Sequence, residues 1–145
     1  MTTVPLTYAH VRRVLDQPID AVWPLIRAFG GLERWAAGVI GCTVEGAGLG
    51  AIRTVSIGDR QVRERLEAID ATRHSLRYFI LPPHTMPAEN IYSEIVLTAL
   101  DGGRTAFVWR SEATGFSVPP QQIGARIEHF YASSIEGLER MLADA

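Results

Sequence analysis

Residues 50–70 read GAIRTVSIGDRQVRERLEAID, and this stretch contains two strand-like segments that meet at Gly58-Asp59. In both segments apolar residues alternate with polar or charged ones, which is the period-two pattern of a strand with one buried face. A Gly-Asp pair between two such segments is typical of a tight hairpin turn. The stretch therefore predicts two adjacent antiparallel strands, at residues 51–57 and 62–69.

The same pattern continues on both sides of this hairpin. Turn-forming residues at 46–48, 70–72 and 101–103 are too few to hold a crossover helix, so neighbouring strands must run antiparallel. The additional strands that we predict lie at residues 8–15, 39–45, 75–81, 91–100 and 105–114.

Three helical segments interrupt or follow the strands. A helix begins at Pro18-Ile19-Asp20, has apolar residues at helical spacing up to Phe29, and is expected to end at Gly30-Gly31. A short helical piece follows at residues 32–35. A long helix is predicted at about residues 120–142, with one face that carries Ile123, Ile127, Phe130, Ser134, Leu138 and Met141.

Composition narrows the class of protein. The chain has 145 residues, 47% of them hydrophobic, which predicts a single domain over residues 1–145. The net charge is −2 and the 14 basic residues are all arginine without a large cluster, so we expect no nucleic-acid partner. Cys42 is the single cysteine, and no apolar run approaches the roughly 20 residues of a membrane span. The amino-terminal residues lack the apolar core of a signal peptide. We therefore expect a cytoplasmic protein without stable membrane insertion, and its oligomeric state stays open.

Motifs for metal or cofactor chemistry are missing from the sequence. The four histidines, His10, His74, His84 and His129, show none of the spacings of a metal site. The sequence also lacks a nucleophile elbow, a phosphate-binding loop and a dinucleotide fingerprint. We predict neither a metal site nor a cofactor.

The order of elements predicts an α+β helix-grip fold. The chain resembles the START-like, birch-pollen-allergen-like (SRPBCC) superfamily, within it the polyketide cyclase/dehydrase and lipid-transport group, and more distantly the plant abscisic acid receptors. The resemblance is carried by PIDAVW at 18–23, LERW at 32–35, GAIR at 50–53, ERLEAID at 64–70 and LRYFI at 76–80. The segment between Arg53 and Glu64 is too short for the gate loop of those receptors, and the chain has no lysine for the hormone carboxylate. Abscisic acid is therefore a poor candidate ligand.

The resemblance implies a seven-stranded antiparallel sheet wrapped around the long C-terminal helix, with two short helices between strands 1 and 2. It also implies a long ligand cavity between sheet and helix. Carried over position by position, the residues that would line this cavity and bind the ligand are Arg53, Val55, Ile57, Glu64, Leu66, Tyr78, Ile80, Tyr92, Glu94, Glu112, Phe130, Ser134 and Leu138. Arg110 joins them because it shares a strand face with Glu112.

Simple alternation supports the opposite orientation of two strands. If Ile91, Ile95, Leu97, Phe107 and Trp109 form the buried face, then Glu94, Arg110 and Glu112 point to solvent. Bulges in a curved sheet can change this parity along a strand. The sequence leaves both orientations open for these three residues.

Two functions are compatible with such a cavity. The first is binding or carrying a hydrophobic or amphipathic small molecule, such as a lipid, a polyketide or an aromatic metabolite. The alternative is a polyketide-type cyclase, aromatase or dehydratase, in which the cavity folds the substrate and a polar residue moves a proton. We favour binding because the sequence fixes no acid/base pair, so whether chemistry is catalysed and which ligand is bound stay open.

Overall fold

A computed structural model describes residues 4–145. The predicted domain spans residues 1–145, so its first three residues lie outside the described residues. Its elements are β1 (Leu6–Leu15), α1 (Ile19–Arg27), a 3₁₀ helix (Leu32–Arg34), β2 (Val39–Glu45), β3 (Ile52–Ile57), β4 (Arg60–Asp70), β5 (Ser75–Ile80), β6 (Glu89–Leu100), β7 (Arg104–Thr114) and α2 (Pro120–Ala143). This is the predicted helix-grip architecture, with strand bounds that differ from the prediction by a few residues.

The strands form one antiparallel sheet in the order β1-β7-β6-β5-β4-β3-β2. Every strand from β2 to β7 pairs with its neighbour in sequence, and β1 pairs with the last strand, β7. The register shifts between Leu66 and Ala68 in β4 and between Thr7 and Ala9 in β1. Such bulges bend a strand, and the bend helps the sheet to curve around a helix.

Helix α2 lies against the inner face of this sheet. The ring of Tyr131 stacks on Trp109 with ring centroids 4.0 Å apart. Glycines at two positions allow close approach, because a Cβ on Gly124 would lie 2.1 Å from the carbonyl oxygen of Tyr8, and one on Gly137 would lie 2.2 Å from that of Trp35.

These contacts correct the predicted face of the long helix. Ile123, Ser134 and Leu138 of the predicted face are buried. Tyr131 and Ile135, which the periodicity did not select, are also buried, whereas Ile127 and Phe130 are only partly buried. The two backbone contacts set the rotation of α2, and the apolar pattern alone does not contain that information.

Helix α1 ends two residues before Phe29. Phe29 itself adopts a left-handed conformation with φ of 66°, so the chain reverses at a bulky residue before reaching Gly31, whose φ is 76°. The Phe29 side chain is nonetheless buried. This reversal carries the Phe29 ring and its carbonyl oxygen into the space beneath β3 and β4, where the candidate site lies.

Candidate functional site: a buried arginine, a small void and an open groove

A buried ion pair joins the two strands of the hairpin on which the fold prediction rests. Arg53 in β3 and Glu64 in β4 are direct cross-strand partners, and the Arg53 Nε donates to Glu64 Oε1 at 2.6 Å. The Arg53 Nη1 also donates to the carbonyl oxygen of Phe29 at 2.9 Å. Both partners are needed, because an unpaired charge that is only 4% exposed would be strongly destabilising.

Aromatic rings complete the surroundings of this guanidinium. Its central carbon lies 4.2 Å from the ring centroid of Phe29 and 4.6 Å from that of Tyr78, which are cation–π distances. Burial lowers the pKa of Arg53, but the negative charge of Glu64 and the hydrogen bond to it raise this pKa by more, so it lies above the usual arginine value. The group stays positively charged at any physiological pH.

A small void adjoins Arg53. Its volume is about 10 Å³, which is room for one water molecule. Its lining consists of Leu25, Ile26, Phe29, Leu32, Trp35, Arg53, Leu76, Ile95 and Trp109, so Arg53 is the charged member of an otherwise apolar wall. Beside Arg53, the described residues form this small void rather than the long open cavity that the resemblance implies, and large aromatic and aliphatic side chains occupy the surrounding space.

A larger, open groove lies on the other side of Phe29. It has a volume of about 360 Å³, within the range of small-molecule pockets. It runs between the end of α1 and the β2–β3 turn and is lined by Arg27, Ala28, Phe29, Val44, Gly46, Ala47, Gly48, Ala51, Leu66 and Ile69. Phe29 is thus a wall shared by the groove and the void.

The predicted site residues fall into two groups, and the first lies on the inner face of the sheet or on α2. Arg53 lines the void and Leu66 lines the groove. The other inner residues pack in the core or at its margin: Val55, Glu64, Tyr78, Ile80, Ser134 and Leu138 are buried, and Ile57 and Phe130 are partly buried. Ser134 has a structural contact, since its Oγ accepts a hydrogen bond from the Ala37 backbone at 2.9 Å.

The second group lies on the outer face, which corrects its placement in the cavity. Tyr92, Glu94, Arg110 and Glu112 are partly exposed, while the alternate positions of the same strands are buried. Arg110 pairs with Glu94 at 3.1 Å, and Arg77 pairs with Glu112 on the same face. Alternation therefore decides the orientation, because in β6 and β7 it places the large apolar side chains against α2.

A buried hydroxyl network on the inner face was not predicted. The Ser93 Oγ lies 3.0 Å from the Ser111 Oγ and 3.2 Å from the Tyr131 hydroxyl, and the Ser111 Oγ lies 2.7 Å from the Tyr8 hydroxyl. Close by, the Trp109 indole N–H donates to the Tyr78 hydroxyl at 3.1 Å. The sequence contains one indication of this network. In both strands the serine stands at a position that alternation assigns to the buried face, where a small polar side chain needs a hydrogen-bond partner.

The hydroxyls of this network are donors rather than bases. Burial raises the pKa of Tyr78 and of Tyr131 well above the usual tyrosine value. Both hydroxyls therefore keep their protons at neutral pH. They can hold a neighbouring oxygen atom, but they cannot abstract a proton there.

Other kinds of site find no support in residues 4–145. This part of the chain contains no group of three or more His, Cys, Asp or Glu side chains arranged for a metal ion. None of its helices is long and apolar enough to span a membrane.

Comparisons with known proteins agree with this architecture. A protein-family model described as polyketide cyclase / dehydrase and lipid transport matches residues 8–143. Among solved structures, an uncharacterized protein from Bacillus thuringiensis superposes with a TM-score of 0.82 at 18% identity, covering 97% of this chain and 99% of that one. A protein from Thermobifida fusca gives 0.83 at 21% identity, with coverage of 94% and 93%. Ara h 8.0201 gives 0.77 at 16% identity, with coverage of 99% and 100%. Likeness at these identities establishes a shared fold.

Proposed function

The chain belongs to the polyketide cyclase/dehydrase and lipid-transport family of START-like helix-grip proteins, and on this basis we propose that it binds a hydrophobic or amphipathic small molecule in the groove beside Phe29. Family and fold are consistent with such binding and equally with cyclase or dehydratase chemistry. Binding is favoured because the tyrosine hydroxyls near the void stay protonated and Glu64 is engaged by Arg53.

The position of Phe29 is the observation that carries the proposal. Phe29 lines both a groove of about 360 Å³ and a small void whose wall includes the Arg53 side chain. Ala51 and Leu66 line the groove; Arg53 lies two residues after Ala51, and its cross-strand partner Glu64 lies two residues before Leu66. An elongated ligand that lies along these strands has its apolar part on Ala51 and Leu66 and its polar end toward Arg53.

Entry of the polar end requires Phe29 to move. A non-glycine residue with positive φ is held in a conformation that costs about 1–3 kcal/mol. The free energy released when Phe29 leaves this conformation offsets part of the free energy that is lost with its ring contacts to Arg53 and Tyr78. In this proposal the apolar part of the ligand enters the groove first, and displacement of the Phe29 ring then gives its polar end access to the void.

A substitution that fills the groove tests the proposal. Ala47→Trp places a large ring in the groove lining, so it should weaken binding of the neutral fluorescent probe N-phenyl-1-naphthylamine by roughly tenfold or more. Ala71→Trp is the matched control, because Ala71 lies in the exposed β4–β5 turn and outside the groove lining. Native mass spectrometry of the purified protein would reveal ligands retained from the expression host.

Two outcomes would contradict groove binding. The first is equal probe affinity in the Ala47→Trp and Ala71→Trp proteins. The second is a wild-type protein that neither retains a ligand nor enhances the fluorescence of the probe.

A further inference from the structure

Arg53 has more hydrogen-bond donors than its protein partners use. A guanidinium carries five N–H groups. Within residues 4–145, the hydrogen bonds of Arg53 go to Glu64 Oε1 and to the carbonyl oxygen of Phe29. The same side chain lines the small void. Unused donors therefore lie beside a space that holds one water-sized group.

The charge of this guanidinium is already balanced. Glu64 contributes a full negative charge at 2.6 Å, the Phe29 carbonyl contributes a dipole, and two aromatic faces cover the group. A second carboxylate brought to Arg53 would meet the repulsion of Glu64 and would also have to lose its water in an apolar void. A neutral oxygen meets neither cost, and it still accepts a hydrogen bond from a spare N–H.

We propose that the Arg53–Glu64 pair selects ligands whose polar end is a neutral oxygen acceptor, such as an ester, ketone or alcohol, and discriminates against carboxylates. The inference rests on the proposed function, because it concerns the polar end of a molecule whose apolar part occupies the groove. The void of about 10 Å³ suits a single carbonyl or hydroxyl oxygen.

Methyl octanoate and octanoate provide the direct test, because they share the same acyl chain and carbonyl and differ by a methyl group and the charge. Their affinities are measured by displacement of N-phenyl-1-naphthylamine at about pH 8, where the acid is fully ionised. The wild-type protein should bind the ester at least about tenfold more tightly than the anion.

The substitution Glu64→Gln separates the ion pair from general hydrophobicity. It leaves Arg53 with an unbalanced charge, so the preference for the ester over octanoate should fall by roughly tenfold or more. Glu67→Gln is the matched control, since Glu67 pairs with Arg65 on the outer face of the same strand and should leave the preference unchanged.

If the Glu64→Gln protein is too unstable for displacement assays, its melting temperature replaces them. In this variant octanoate should raise the temperature about as much as methyl octanoate does, because the anion supplies the missing partner of Arg53. In the wild-type protein the ester should give the clearly larger rise.

Each result has a defined meaning. Wild-type preference for octanoate, or an ester preference that Glu64→Gln leaves unchanged, would overturn the proposed selectivity while leaving groove binding intact. Failure of both compounds to displace the probe would remove ligand binding near Arg53 and this selectivity together. Loss of the ester preference in Glu67→Gln would also overturn the proposed selectivity, because the surface pair of Arg65 and Glu67 would then affect the preference as much as the buried pair does.

Discussion

The buried tyrosines should make this fold less stable at alkaline pH. Burial raises the pKa of Tyr131 and of Tyr78 above the value of about 10 that they have in the unfolded chain. Between about pH 10 and the folded-state pKa, the unfolded chain loses a proton that the folded protein keeps. The contribution of these two tyrosines to the free energy of unfolding is therefore complete below about pH 10 and declines as the pH rises above it. The chain has no lysine, so lysine titration does not obscure this range.

The size of the effect follows from the linkage relation. A tyrosine that stays protonated in the folded state loses about 1.4 kcal/mol of stabilisation between about pH 9 and pH 11. Tyr131→Phe removes this loss and also removes the hydrogen bond to Ser93, which costs about 1 kcal/mol at neutral pH. The variant should therefore be about 1 kcal/mol less stable than the wild type at pH 7 and about equally stable at pH 11.

Urea unfolding followed by tryptophan fluorescence at about pH 7, 9 and 11 measures this crossover. Ser93→Ala is the control for pH dependence, because it removes the hydrogen bonds of Ser93 to Tyr131 and to Ser111 but keeps the ionisable hydroxyl of Tyr131. Its deficit should stay similar at every pH. If the deficit of Tyr131→Phe is as large at pH 11 as at pH 7, the hydroxyl is not protected by burial and the reasoning is wrong.

Three further predictions concern packing, the ion pair and Phe29. Gly124→Ala and Gly137→Ala should each lower the free energy of unfolding by about 1–3 kcal/mol in urea, because the added Cβ meets a backbone oxygen. This loss should exceed the gain from the higher helix propensity of alanine. A variant more stable than the wild type would contradict the docking of α2. Glu64→Gln should cost about 3 kcal/mol because it leaves a buried charge unpaired, whereas Glu67→Gln should change stability little, and similar losses in both would contradict the difference in burial. Phe29→Ala should lower the free energy of unfolding by about 3 kcal/mol and yet bind N-phenyl-1-naphthylamine more tightly, because it joins the void to the groove; unchanged affinity would show that Phe29 is not the wall between them.

The sheet could be predicted from the sequence because its signals are local. Alternation and short turns depend on neighbouring residues, so the strands and their antiparallel order followed directly. The same local rule correctly indicated that Ile91, Ile95 and Trp109 are buried. Transfer of inward-facing positions from related proteins failed for Glu94 and Glu112, because a shift of one residue in register exchanges the two faces of a strand.

The candidate site was less predictable because it depends on contacts between distant segments. The positive φ of Phe29 places a ring beneath Arg53, and nothing near Phe29 in the sequence indicates that a non-glycine residue reverses the chain there. The rotation of α2 likewise depends on the approach of Gly124 to Tyr8, more than a hundred residues earlier in the chain. A periodic pattern cannot contain either fact.

The charged residues within 50–70 therefore have different roles although they are neighbours in sequence. Glu64 points inward and balances a buried guanidinium, whereas Arg65 and Glu67 pair with each other on the outer face. Alternation assigns these residues to opposite faces, but it does not explain why a carboxylate occupies a buried position. The explanation lies in Arg53, the residue directly opposite, because neither charge is tolerable there without the other. A pair of this kind is a costly way to fill a core, and the position of Arg53 on the void that Phe29 also lines supports the proposed role in ligand recognition.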